Sequence, residues 1–230
     1  MTVKRDIDIA LTAEEIMRAV SHGRRDAAWM AEPARAALNR ASDLLAPVIV
    51  FEWVGVETVS GEAVRVRTRK RAGTAVLTVG PQAKLLTPAV EALVSVNSIG
   101  AALDDEVRRL NDNGEMLAGY LLDCVGVVAL SKVADEAARM AEKRAQEKGW
   151  GVGARLSPGS LVGWDTSRQK EICGILPLED AGIGLTESGL LVPFKSASGM
   201  VGIGPGYPGR KVGSVCSLCK LKDTCWRRKT

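Results

Sequence analysis

The sequence predicts an α+β fold, a twisted antiparallel sheet with flanking helices. Three observations carry this reading. The β-branched run Pro47 to Val59 is followed by an alternating segment, Glu62 to Thr68, and by a third apolar stretch, Thr74 to Val79, with turns between them. An apolar stripe at helical spacing then runs from Glu115 to Lys148 through Leu117, Leu121, Cys124, Val128, Val133, Ala137 and Met140. The composition is that of an ordinary globular chain, 46% hydrophobic and 25% charged over 230 residues. That length suits one large domain or two small ones. Aromatic residues make up only 4%, so Leu, Val, Ala and Ile must fill the core.

The elements follow in order. Thr12 and Glu15 form a capping box ahead of a short helix that runs to about Val20. Ser21-His22-Gly23 ends it, and His22, the only histidine, reads as a C-terminal cap. Pro33 opens a second helix through Arg35, Leu38, Ala41 and Leu44. In the second strand Val64 and Val66 alternate with Arg65 and Arg67, the pattern of a half-buried strand. From Pro81 the spacing of Leu85, Val90, Leu93 and Val96 predicts a helix, and Asp104 to Leu110 another. Within the long stripe Gly119 and Gly126 permit close approach of a neighbour, and Asp123 needs a partner such as an arginine or a backbone amide. Gly149 ends the long helix.

Beyond Gly149 the chain is rich in loops. Asp165 or Thr166 caps a helix over Arg168 to Ile175, and Ile183 to Leu185 and Ser198 to Ile203 read as strands around a turn at Pro193. Gly202, Gly204, Gly206 and Gly209 look superficially like a phosphate loop, but prolines interrupt them and no helix follows, so they read as a turn or linker. Three portions are expected: 1–100 as an N-terminal α/β part of the fold, 101–204 as its core, and 205–230 as a cysteine-containing tail.

Several classes of function are disfavoured. The net charge is only +4, and the basic runs Arg69 to Arg71 and Arg227 to Lys229 read as solvated segments with no aromatic ladder for bases. No nucleic-acid partner is expected. No run of about 18 consecutive apolar residues is present, so no membrane partner is expected either. An odd count of five cysteines without an export signal points to a reducing, cytoplasmic setting. No His-Asp-Ser or Cys-His constellation is visible, and no catalytic side chain is assigned.

Three of the five cysteines, Cys216, Cys219 and Cys225, fall in the run CSLCKLKDTCWRRK. Thiolates two residues apart can reach one metal centre together, and a third can close on it. A zinc site closed by protein wants four ligands; the fourth could be Cys124, Cys173, His22, another chain or a small molecule. A three-thiolate set suits an iron–sulfur cluster more than zinc, because no second C-x₂-C pair is present. A solvent-facing thiol cluster, or a disulfide with one cysteine left over, is the plainer alternative.

Three phrases carry a resemblance. RLSPGS supplies Arg155, Pro158 and Gly159; LTES supplies Leu185, Thr186, Glu187 and Ser188; PFKSASG supplies Pro193, Lys195, Ser196, Ser198 and Gly199. From about Asn111 to Ile203 the chain resembles the activation domain of cobalamin-dependent methionine synthase. It is closer still to stand-alone activation-domain proteins of corrinoid methyltransferase systems, some of which also end in a short cysteine cluster. The resemblance implies an activation-domain-like fold and S-adenosylmethionine binding, with Arg155 gripping the ligand carboxylate. Glu136, with Asp135 beside it, is the expected partner of the ligand amino group, and the loop residues Ser157, Gly159 and Ser160 are expected to approach the adenosyl part. It also implies cobalamin on a partner, a corrinoid protein or corrinoid methyltransferase, whose reductive reactivation this chain would support. The alternative is a non-enzymatic corrinoid-protein binding module with a structural metal site. One departure stands out: the motif's tyrosine is Ser160 here, and Trp164 is the aromatic available to replace it. Glu187 is expected to be an architectural, buried carboxylate.

Overall fold

Two apolar layers enclose one sheet, and each is dictated by what lies on either side of its strands. The computed structural model describes residues 3–21, 28–68 and 73–225. His22, the run Arg69 to Arg71 and the run Arg227 to Lys229 fall outside them.

Strand β1 (Val3–Lys4) precedes helices α1 (Ala13–Val20) and α2 (Ala31–Ala41). The capping box is present: Glu15 N donates to Thr12 Oγ1 at 3.2 Å, and Thr12 N donates to Glu15 Oε2 at 3.1 Å. Strands β2 (Val48–Ser60), β3 (Ala63–Thr68), β4 (Gly73–Thr78) and β5 (Glu91–Ser98) follow. Then come α3 (Ala102–Asp112), the long α4 (Met116–Glu147), β6 (Gly151–Leu156), the short α5 (Gln169–Cys173), β7 (Gly184–Leu185), β8 (Leu191–Val192) and β9 (Ser196–Gly204). The main sheet runs β4-β3-β2-β5-β9-β6, antiparallel throughout, with β1 also paired to β2. Strands β7 and β8 form a separate hairpin. The large antiparallel sheet with flanking helices is the expected α+β class.

The helix expected over Leu85 to Val96 is corrected. Pro81–Leu86 is a 3₁₀ turn, and Glu91–Ser98 is β5. This strand lies mid-sheet and is buried on both sides. Leu93 joins the core beneath the helices, while Ala92, Val94 and Val96 join the core on the opposite face. A strand covered on both faces shows no alternation, so its apolar positions can imitate a helical period. Strand β3, by contrast, keeps its alternation: Val64 and Val66 are buried, and Arg65 and Arg67 are exposed.

Helix α4 crosses the helical face of the sheet and packs on α1, α2 and α3. By length and composition it is apolar enough to cross a membrane. In this fold Leu121, Leu122, Val125, Ala129, Val133, Ala137 and Ala141 are buried in the core. The expected close approach is real. A Cβ on Gly119 would collide with Asn111 of α3, and one on Gly126 would stand 2.8 Å from Leu103 Cδ2. Asp123 finds Lys195, whose ammonium also reaches Asp104 at 3.3 Å, while Lys195 N donates to Asp104 Oδ2 at 3.1 Å. This lysine, only 5% exposed, ties the start of β9 to α3 and α4. Removing one partner of such a buried set strands the others, which makes it a strong constraint on geometry.

The other end of α4 is fastened at Glu91. Arg144 donates to it at 2.7 Å and Lys148 at 2.8 Å, and the Arg144 guanidinium stacks over Trp53, 4.4 Å from the ring centre. Burial pushes the Glu91 carboxyl up, but the two cations outweigh it and hold its pKa below the ordinary 4.5. Its stabilising effect is therefore fully present above that value and is lost as the pH falls through the lower folded value.

Two outcomes follow. Glu91→Gln should lower stability at pH 7 by about 2 kcal/mol. The gap to the parent should close as the pH is taken below 4.5; urea midpoints over a pH series read this. Gly204→Ala should cost about 1–3 kcal/mol, because a Cβ there collides with the Pro88 carbonyl and stands 3.0 Å from Val90 N; the same denaturation reads it.

Candidate functional site

Strand β6 is an edge strand, and alternation along it decides where Arg155 goes. Leu156 lies in the core opposite the helices, so Arg155 lies on the α4 side. Arg155 is paired with Val201 of β9 and Leu156 with Met200, which brings Ser157 beside Gly199. A Cβ on Gly199 would stand 3.0 Å from Arg155 Nε, 3.2 Å from Leu156 O and 3.2 Å from Ser157 Oγ. The guanidinium thus lies across the backbone of Gly199. Two phrases far apart in sequence, RLS at 155–157 and SASG at 196–199, meet at this point.

The electrostatics are unusual. Desolvation pulls the Arg155 pKa down, and the charge of Asp135 on α4 opposes it. Among the described residues Arg155 makes no side-chain hydrogen bond or ion pair, and the exposed Asp135 makes none either. A partly buried guanidinium with no hydrogen-bond partner among the described residues can receive a carboxylate on its planar fork of donors.

Glu136 is turned away from Arg155. It pairs with Lys4 at 2.9 Å and Arg139 at 2.8 Å. Burial pushes its carboxyl up, but these cations outweigh it and hold it below the ordinary range. One step along a helix rotates a side chain by about 100°, so Asp135 and Glu136 serve different neighbours.

The loop after β6 is anchored from below. Leu161 and Trp164 are fully buried, Gly159 N donates to Trp164 O at 2.8 Å, and Leu161 N donates to Ser157 O at 3.2 Å. Gly159 takes a φ of +79°, the left-handed region that favours glycine. Ser160 is exposed. The structure corrects the expectation for Trp164: its ring is in the core and offers no surface to replace the motif's tyrosine.

LTES forms the turn of the β7–β8 hairpin. Thr186 N donates to Leu190 O at 2.8 Å, and the Thr186 and Ser188 hydroxyls lie 2.9 Å apart. Glu187 is exposed, which corrects the buried architectural carboxylate. Gln169, which carries no motif in the sequence, connects the phrases. Its Nε2 donates to Gly189 O at 2.8 Å, and its Oε1 accepts from Ser198 Oγ at 2.8 Å.

The C-terminal segment lies along the free edge of β6. Val152 N donates to Gly209 O at 2.8 Å, Gly213 N to Gly153 O at 3.2 Å and Arg155 N to Gly213 O at 3.3 Å. After a 3₁₀ turn over Cys216–Leu218 it bridges to the loop. Leu161 pairs with Cys219, Val162 N donates to Leu218 O at 3.0 Å, Lys220 N to Ser160 O at 2.9 Å, and Lys220 Nζ to Asp165 Oδ1 at 3.2 Å. Leu221 N donates to Cys219 Sγ at 3.4 Å.

Cys216, Cys219 and Cys225 are in no disulfide. The expected metal centre is not preassembled: among the described residues no three His, Cys, Asp or Glu side chains are arranged to hold a metal ion. Of the candidate fourth ligands, Cys124 is buried and Cys173 is partly buried against the core. Desolvation pushes Cys173 up to about 11. Desolvation also raises Cys124, with Asp123 adding to it against the hydrogen bond from Tyr120. A cavity of about 520 Å³ lies elsewhere, between α2 and the start of α4, lined by Pro33, Ala37, Arg40, Met116 and Leu121 among others, and holds none of the expected site residues.

No protein-family model matches the sequence, and no curated protein matches it. Among solved structures, the crystal structure of the MetH reactivation domain bound to AdoHcy is similar to this chain. The TM-score is 0.59 at 16% identity, covering 84% of this chain and 70% of that one. The likeness is one of fold.

Thiol reactivity should separate the two cysteine classes. With a maleimide at neutral pH, Cys173 and Cys124 should label slowly because little thiolate is present and the sulfurs are shielded, and Cys216, Cys219 and Cys225 should label first. Peptide mass spectrometry of timed samples reads the order.

Proposed function

We propose that this chain is an accessory protein for corrinoid-dependent methyl transfer, binding S-adenosylmethionine and a corrinoid protein and so supporting reductive reactivation of cobalamin held by that partner. One observation carries the reading: the Arg155 guanidinium lies across the buried backbone of Gly199 with no hydrogen bond or ion pair among the described residues, and the exposed Asp135 on α4 acts on it by charge alone. An amino-acid zwitterion carries the complementary pair. Its carboxylate matches the fork of Arg155, and its ammonium matches Asp135, which takes the role expected of Glu136. Ser157, Gly159 and Ser160 present loop backbone to the adenosyl part. The fold likeness to a domain solved with AdoHcy supports the same ligand class.

In this reading the chain's contribution is positioning. A corrinoid, when bound by the partner, supplies the cobalt that takes the methyl group. Residues of this chain hold the donor by its amino-acid end and shield it against the sheet. Cys216, Cys219 and Cys225 are proposed as metal ligands. An iron–sulfur centre there would supply an electron, and zinc would only fasten the tail.

A second reading is a corrinoid-protein binding module without S-adenosylmethionine affinity, its tail held by a structural metal. The buried Trp164 and the Ser160 substitution favour it, since neither offers an aromatic face to adenine.

Calorimetry of AdoMet and AdoHcy against the full chain decides between them. Under the first reading Arg155→Gln weakens binding about tenfold to a hundredfold, Asp135→Asn weakens it less, and Glu136→Gln leaves it within about twofold. Absence of binding by the parent chain, alone and with a corrinoid protein, would sink the first reading in favour of the second.

A further inference from the structure

We infer that Asn97, on the strand beside β9, binds the ribose diol of an S-adenosyl ligand and so distinguishes ribose from deoxyribose at this site. The inference rests on the function proposed above and adds to it a contact that no phrase in the sequence marks.

Asn97 is fully buried, and among the described residues neither its Oδ1 nor its Nδ2 has a hydrogen-bond partner. A buried carboxamide with both ends unmet costs stability, and such groups are rare in folded chains. Its place in the sheet connects it to Arg155. Along β5, Leu93 belongs to the core beneath the helices, and alternation puts Ser95 and Asn97 on that same side. Ser95 is paired with Gly199, over which the Arg155 guanidinium lies, and Asn97 is paired with Ala197. On β9 these two positions carry only a hydrogen and a methyl group, so no bulky side chain of that strand separates Asn97 from Arg155. Arg155, Ser157 and Ala197 are half-buried, and the strip opens to solvent on the β6 side.

Strand direction decides which part of the ligand meets Asn97. Strands β5 and β6 both run antiparallel to β9, so Ser95 to Asn97 and Arg155 to Ser157 lead the same way. With the amino-acid end at Arg155 and the adenine toward the loop after Ser157, the ribose falls between them. That is the level of Ala197 and Asn97, two residues or about 7 Å along from Gly199. A carboxamide offers one acceptor and two donors. Oδ1 accepts from one ribose hydroxyl, and Nδ2 donates to the other. Turning toward the strip about its own χ angles breaks no hydrogen bond of this side chain among the described residues.

The test is calorimetry of AdoHcy and its 2′-deoxy analogue against the full chain, Asn97→Ala and Asn97→Leu, with urea denaturation of each. The parent should prefer AdoHcy by about tenfold or more. Both variants should bind AdoHcy about tenfold more weakly and separate the two ligands by less than about twofold. The urea midpoint of Asn97→Leu should match or exceed the parent's, because an apolar group replaces an unmet polar one. Variants that keep the parent's preference overturn the assignment, and so does an Asn97→Leu midpoint well below the parent's. If the parent binds both ligands equally, the assignment to Asn97 alone falls. If it binds neither, the S-adenosyl reading falls and takes the assignment with it.

Discussion

Strand β9 sets the terms for everything around it. It lies between β5 and β6, is buried along nearly its whole length, and carries glycine where other parts of the chain cross it. Arg155 lies over Gly199; the Tyr207 hydroxyl, Ala89 and Leu86 close on Gly202; the Pro88 carbonyl presses on Gly204. Each crossing needs a backbone without a side chain. Immediately before the strand stands Lys195, whose ammonium is shared by Asp104 and Asp123. Its register is thus pinned at one end by buried charge and along its length by close contact. Arg155 inherits its position from that register.

Much of this was legible in the sequence where one face of an element is wet. The alternation of β3 and the capping box at Thr12 appear where expected, and so does most of the α4 stripe, although Leu117 near its start is exposed. Legibility failed where both faces are dry. Leu93 and Val96 belong to a mid-sheet strand, and nothing local separates such a run from a helix. The site divides similarly. The spacing of RLSPGS and SASG indicated which phrases matter, and Arg155 follows from a motif. The choice between Asp135 and Glu136 depends on the rotation of α4, fixed by distant packing. Gln169 could not be singled out, because its two partners lie 20 and 29 residues away in sequence and on another element.

The charge distribution sharpens the site. Most carboxylates that touch the helical layer are occupied: Glu91 by Arg144 and Lys148, Glu136 by Lys4 and Arg139, Glu142 by Lys211 and the backbone of Val212. Against that background Arg155, partly buried and with no hydrogen bond or ion pair among the described residues, stands apart.

The path of residues 209–213 along β6 has a consequence apart from thiols and ligands. An edge strand with open N–H and C=O groups is a template for pairing with other chains. Here the segment takes up the amides of Val152 and Arg155 and the carbonyl of Gly153. The sheet is closed to further strands on that side by the chain's own C-terminal part. The segment therefore occupies the edge of β6, and a chain shortened before Gly209 would leave those amides and that carbonyl open to pairing.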